Sequence, residues 1–341
     1  MYLFANTQKG KYDYSDDYND RLFKPSLWCA LCAIAIMTVC TRSSILYVFN
    51  LWDDANSYFT VGKCIFRGYE PYRDLFDQKG ILLYFIYGIA SLMSATTFRG
   101  VFVMEIIAAF FSLMAILRIY QLFLEPRTFP YILTPITGAV IYSSANFYWG
   151  GSAEEFLFPF IMWGMYLSLR YFREGYSKVM PYKMVLTGGI LAGCVFNIKF
   201  NSLGFFFAWM AMVFFADILA AREIIKAITS CFVFLAGMGI ATLPWVIYFG
   251  VHDAIDDWIY VYIYKNVFEY SKKLTFTERM ATFFDIIKNH VLNNFPIYIL
   301  IAIGIMYFFA STISSFVPDD INSLKRRNSF FIHVKIPELI N

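Results

Sequence analysis

Between Asn50 and Gly80 the chain reads NLWDDANSYFTVGKCIFRGYEPYRDLFDQKG. Asp53, Asp54, Asp74 and Asp77 stand there beside Lys63, Arg67, Arg73 and Lys79. A carboxylate in such a stretch can act as a general base on an acceptor hydroxyl, or help hold a divalent metal. Asp53 and Asp54 are adjacent, so on a helix they do not share a face and only one can point squarely into a given site. The same two residues also suit the start of a helix, where negative charge is favoured. A second acidic pair, Glu154 and Glu155, follows the turn Gly150-Gly151 between two apolar runs. It is costly at membrane depth and cheap at the interface. Lys79, Arg73, Arg99, Arg42 and Lys199 can each bind a phosphate, or reach toward lipid headgroups.

The elements that must position these residues are apolar. The chain has 341 residues, 59% hydrophobic and only 16% charged, with a mean hydropathy of +0.55. Soluble domains carry about 25% charge. Uncharged or nearly uncharged runs at roughly 22–41, 101–124, 130–149, 156–172, 184–198, 203–221, 228–250 and 295–313 have lengths suited to membrane-crossing helices. The expected fold is all-α: a polytopic membrane helix bundle with about eight spans. The first apolar run follows a long polar lead and ends at Thr41-Arg42, which reads as an uncleaved anchor rather than a signal peptide.

One further run, Ile81 to Thr97, is marginal in length. If it does not cross, one side of the membrane receives the basic residues of 1–21, then Arg118 and Arg127, then Arg170, Arg173, Lys178 and Lys183, then Arg222 and Lys226, and those of the tail 314–341. That asymmetry marks the cytoplasmic side. The run is therefore expected to be an interfacial or re-entrant helix on the outer face. The organisation is a cytoplasmic N-terminal tail (1–21), a membrane domain (22–313) and a cytoplasmic tail (314–341). The outer loops at 42–100 and 251–294 then share one face with the 150–155 turn. Gly189 and Gly193 form a small-xxx-small pair suited to close helix packing.

Several function classes are excluded. The six cysteines lie mostly in apolar runs, and Cys29-x-x-Cys32 sits in one without clustered histidine, so packing is favoured over a redox or metal role. There is no H-E-x-x-H, nucleophile elbow or phosphate-cradling glycine loop, and no nucleic-acid signature at a net charge of +3. Tyr260, Tyr262 and Tyr264 suit either a sugar-binding surface or an interfacial aromatic belt.

W-D-D-A-N-S-Y-F-T-V-G-K at 52–63 and G-Y-E-P-Y-R-D-L-F-D-Q-K-G-I-L-L-Y at 68–84 resemble the first outer loop of GT-C-fold membrane glycosyltransferases. The bacterial members of the protein O-mannosyltransferase and aminoarabinose-transferase superfamily are the nearest likeness. S-A-E-E-F-L-F-P-F at 152–160 and N-I-K-F-N-S-L-G at 197–204 resemble later motifs of the same group, and the likeness covers roughly 40–310. Members commonly run longer, with further spans.

The resemblance implies a GT-C-like bundle in the cell membrane, with a cytoplasmic N-terminus and an active site facing outside. It implies transfer of a sugar from a polyprenyl-phosphate carrier to a glycan, lipid or protein acceptor. Asp54, in preference to Asp53, would be catalytic base or metal ligand. Glu155, and behind it Glu154, would occupy the second acidic position, orienting the acceptor or a metal. Lys79 would meet the carrier phosphate, with Arg99 a looser match. A divalent metal is left open, with Asp54 and Glu155 as its ligands. The competing readings are a transporter or flippase for lipid-linked glycans, which predicts charged groups inside spans, and a non-catalytic subunit of a glycan-assembly complex.

Overall fold

The computed structural model describes residues 24–124, 128–147, 149–176, 178–270 and 274–315. The expected tail at 1–21 and nearly all of 314–341 lie outside them. The chain divides into two units at Tyr270. Among the described residues there is no β-strand, and each apolar run named above contains an α-helix.

In the first unit, α1 (Pro25–Cys40) buries Cys29, Cys32, Ala33, Ile36 and Met37. Those positions repeat at helical spacing and form one face. Both cysteines of the C-x-x-C are therefore packing groups, and both are free thiols. This face meets α4 (Arg99–Phe123) and α5 (Thr128–Tyr142) in one apolar core. A larger core gathers α2 (Asp53–Ile65), α3 (Ile81–Met93), α6 (Ala153–Arg170), α7 (Tyr182–Lys199), α8 (Gly204–Leu219) and α9 (Ile224–Val251). A short helix at Ile255–Trp258 continues as a π-helix over Ile259–Glu269.

Glycine sets the closest approaches. A Cβ at Gly189 would stand 3.0 Å from Gly237 Cα and collide with the Phe234 carbonyl; one at Gly193 would lie 2.7 Å from the Met238 carbonyl oxygen. The small-xxx-small pair thus lets α7 and α9 touch backbone to backbone. Gly62 on α2 does the same against α3, with its missing Cβ 2.6 Å from Gly88 N.

Three helical stretches are long and apolar enough to cross a membrane: Arg99–Phe123, Tyr182–Leu219 and Ile224–Val251. The second, 38 residues long, is not one rod. Its backbone is extended at Lys199 (φ −157°, ψ 92°), Trp209 of α8 packs on Gly188 of α7, and Met180 N–H donates to Asp217 at 3.4 Å. The stretch is a hairpin with Lys199 at its tip. α3 has 13 residues, about 20 Å of helix, against the ~30 Å of a hydrocarbon core. It starts against the C-terminal end of α7, where Gly80 N–H donates to the Ile198 carbonyl at 2.9 Å. It finishes beside the start of α4, where Gly100 packs on Ala90. Both its ends lie at one end of the bundle.

The outer surface of α9 exposes Ile228, Phe232, Leu235, Leu243 and Ile247. Such a continuous apolar stripe is suited to lipid rather than to water. The second unit holds α11 (Phe276–Asn293) and α12 (Phe295–Ser315). A capping box between Thr275 and Glu278 starts α11. Phe276–Asn293 and Ile297–Met306 bend by 100° at their junction and together are long and apolar enough for one broken span, which raises the number of candidate spans to four.

Candidate functional site at one end of the bundle

Two ends of the first unit differ in composition. The C-terminus of α6, the start of α7 and the end of α8 meet through the Met180–Asp217 bond. Arg170, Arg173, Lys178, Lys183, Arg222 and Lys226 lie in these segments. The opposite end collects the close of α1, α2, α3, the start of α6 and the hairpin tip.

The segment 68–80 is folded around Tyr72. Its backbone is left-handed (φ +71°), a conformation that costs an L-residue about 1–2 kcal/mol. The ring is buried and its hydroxyl donates to the Lys79 carbonyl at 2.7 Å. Lys79 N–H in turn donates to the Tyr84 hydroxyl at 2.8 Å. Two tyrosines therefore clamp the backbone of Lys79 from both sides, and the Gly80–Ile198 bond pins it to α7. The π-helix adds to the anchorage, since Asn266 Nδ2 donates to the Gln78 carbonyl at 2.9 Å.

Around this clamp stand carboxylates. Asp53 and Asp54 open α2 and are exposed; the positive end of the helix dipole favours their charge. Tyr58, one turn on, donates its hydroxyl to Asp54 Oδ2 at 3.0 Å. Burial, and then the Asp54 charge, push the Tyr58 phenol far up, and the charges of Asp77 and Glu154 act in the same direction. Tyr58 is thus bonded to one carboxylate and within the electrostatic reach of two more. Asp77 accepts from Ser57 Oγ at 2.7 Å and from Gln78 N–H at 2.6 Å. Glu154, in the first turn of α6, is ion-paired with Lys199 across from the hairpin tip. Burial alone would raise Glu154; the hydrogen bond and charge of Lys199, with Lys79 nearby, outweigh it and hold the group below the usual carboxylate range. Of the residues proposed from sequence, Asp54, Lys79, Glu154 and Lys199 are among these groups.

Glu155 points elsewhere. It is fully buried, with Oε2 accepting Gly151 N–H at 2.9 Å. Successive residues of a helix face different ways, and at the start of α6 Glu154 takes the polar side. Glu155 therefore does not reach an acceptor from where it sits. A divalent ion held by Asp54 and Glu155 does not fit this arrangement: one is exposed, the other sealed beneath the Gly150-Gly151 turn. Among the described residues no three His, Cys, Asp or Glu side chains gather as ion ligands.

Arg73 is engaged structurally. It is paired with Asp257 at 2.8 Å and donates to the carbonyls of His252 (3.1 Å) and Asp253. It ties the 70s segment to the end of α9. Beside it, Glu70 accepts from the Tyr248 hydroxyl at 3.3 Å and lies 4.0 Å from His252 Nδ1. Arg99 is exposed at the first residue of α4.

Sequence reasoning missed Glu105 and the tyrosines 58, 72, 84 and 87, and named Asp77 without giving it a role. Glu105 carried a usable signal. It is the one acidic residue in the run 101–124, and an ionisable group inside such a run marks function by default. The tyrosines gave none, because their burial is decided by tertiary contacts. No protein-family model, no curated protein and no solved structure matches this chain.

Proposed function

We propose that the chain is an integral-membrane glycosyltransferase moving a sugar from a polyprenyl-phosphate carrier to a cell-envelope acceptor at the non-cytosolic face. The observation that carries this reading is the meeting of Lys79 and the Glu154–Lys199 pair with the Asp54–Tyr58–Asp77 cluster, at the bundle end opposite the basic loops. Short-loop basic residues favour the cytosol, which leaves the cluster outside. The about eight crossings, with α3 held at the outer interface, belong to this proposal.

In the proposed reaction the acceptor oxygen attacks the anomeric carbon, and Asp54 takes its proton as general base. The bond from that carbon to the phosphate oxygen breaks, and the carrier phosphate leaves with the electron pair. Lys79, fixed by Tyr72 and Tyr84, supplies positive charge where negative charge develops. Tyr58 orients Asp54 through its 3.0 Å hydrogen bond. Glu154 holds Lys199 in place beside the same phosphate.

A transporter for lipid-linked glycans is the second reading, and Glu105 favours it, since the residue is buried within α4. Membranes containing the protein, supplied with radiolabelled polyprenyl-phosphate sugar, separate the two. Transfer by the wild type that is abolished in Asp54→Asn, with membrane insertion intact, supports the enzyme. Full activity in Asp54→Asn removes that residue from the mechanism, and movement of the carrier across the bilayer without transfer supports the transporter.

A further inference from the structure

We propose that Glu105 and Glu155 hold one proton between them, Glu105 as the carboxylate and Glu155 as the acid, and that this pair latches α1, α4 and α6 so that Glu154 meets Lys199. The inference does not depend on the transfer reaction.

Both side chains are fully buried. Glu105 accepts the Thr41 hydroxyl, shared between its oxygens at 2.9 and 3.0 Å, and the Ser43 hydroxyl at 3.2 Å. Ser43 Oγ is held by Asn50 Nδ2 at 3.2 Å, and the same amide donates to the Trp149 carbonyl at 2.9 Å. Glu155 receives backbone donors only, Gly151 N–H on Oε2 at 2.9 Å and the N–H of Ser152, while its Oε1 has no partner at all. The other titratable groups facing the pair are Tyr87 of α3, Tyr142 of α5 and Cys40 at the end of α1, with Tyr58 and Asp54 of α2 beyond Tyr87. None is a cation.

Two like charges buried together without a counter-charge are prohibitive, and a pair of neighbouring carboxyls resolves this by sharing a proton. The hydrogen bonds say where it goes. Hydroxyl donors aim at both oxygens of Glu105, which suits an anion. A bare, sealed Oε1 on Glu155 is where an O–H belongs. A metal ion in that place would need room. A Cβ on Gly150 would lie 2.7 Å from Glu105 Oε1, and one on Gly151 3.6 Å from the same atom. Both glycines are left-handed (φ +72° and +71°). A proton needs no space. Tyr87 closes the turn by donating to the Gly151 carbonyl at 2.5 Å. The latch therefore spans the loop after α1, α3, α4 and the first turn of α6, and Glu154 is the next residue out. Glu105 and Glu155 are positioning residues.

The test is infrared difference spectroscopy of the full chain in nanodiscs at neutral pH, in H2O and D2O, in a Glu70→Gln background that removes another buried glutamate. The expected result is a protonated-carboxyl band that shifts in D2O, is lost in Glu155→Gln and persists in Glu105→Gln. Thermal melting gives a second reading. Glu155→Gln, which mimics the neutral acid, should keep the wild-type melting temperature, whereas Glu155→Ala and Glu105→Ala should both lower it. No band sensitive to Glu155→Gln would overturn the proposal, as would an equal loss of stability in Glu155→Gln and Glu155→Ala. If Glu155→Gln does not fold, 13C-carboxyl glutamate in the same background decides the matter: a label-shifted protonated band upholds the pair, and its absence refutes it.

Discussion

Gly80→Ala is the sharpest test of how Lys79 is placed. The backbone at Gly80 is ordinary (φ −77°, ψ 150°), so alanine meets no conformational strain there. What it meets is α7: the new Cβ would fall on the Asn197 carbonyl and stand 2.7 Å from Ile198 N. Relaxed carbon contacts need about 3.5 Å, so the segment must retreat by at least about 0.8 Å. The Gly80–Ile198 hydrogen bond, now 2.9 Å, would then exceed the roughly 3.5 Å at which such bonds fail. Overpacking costs about 1–3 kcal/mol, and a lost buried bond about 1–3 kcal/mol more, so the expected destabilisation is about 2–6 kcal/mol. Gly68→Ala is the control, with φ +86° but nothing within 4 Å of its Cβ; it should cost only the strain of a left-handed alanine, about 1–2 kcal/mol. Thermal unfolding in nanodiscs, with hydrogen exchange at the Lys79 and Gly80 amides, reads both effects. Equal stability of the two variants, with unchanged exchange at those amides, would refute the proposed docking of this segment on α7.

Gly189→Val should push α7 from α9 and lower the melting temperature by several degrees; a wild-type melting curve would contradict the backbone contact with Phe234 and Gly237. A double-mutant cycle of Glu154→Gln and Lys199→Met should give a coupling of about 1 kcal/mol, because both side chains keep partial solvent access and the pair is screened; zero coupling would show the ion pair to be incidental. Burial, with a smaller push from Asp74, raises Glu70 against the lowering by His252, Tyr248 and Arg73. Its folded pKa thus lies above the unfolded one. The stabilisation from its proton is complete below the unfolded pKa and is lost as pH rises through the folded pKa. Exchange-corrected opening of residues 70–75 should increase from acidic to neutral pH, and Glu70→Gln should flatten that dependence; an identical slope in the variant would rule Glu70 out.

Helix positions were legible because apolar runs of this length have few other uses, and the close approach of α7 was legible from Gly189 and Gly193. The fold-back of α7 on α8 was readable as two runs separated by Lys199-Phe200-Asn201. The site was legible only in part. Asp54, Lys79, Glu154 and Lys199 stood out as charges at the ends of apolar runs. Which of Glu154 and Glu155 faces outward depends on the rotation of α6, which Ser152 sets by capping Glu155 N–H at 3.0 Å. Arg73 looked like a phosphate ligand until Asp257, 184 positions away, was placed beside it. The tyrosine clamps on Lys79 were hidden for a similar reason. The chain has 25 tyrosines, and only tertiary contacts distinguish those that donate into the backbone from those that face lipid.

The central claim is that the acidic and basic groups around Tyr58 face the compartment where lipid carriers present their sugars. A cysteine-free variant carrying Asp53→Cys, at the exposed start of α2, tests it in intact cells with a membrane-impermeant maleimide. The account predicts labelling from outside without permeabilisation. Labelling that appears only once the cytosol is opened, with the protein folded, would contradict it.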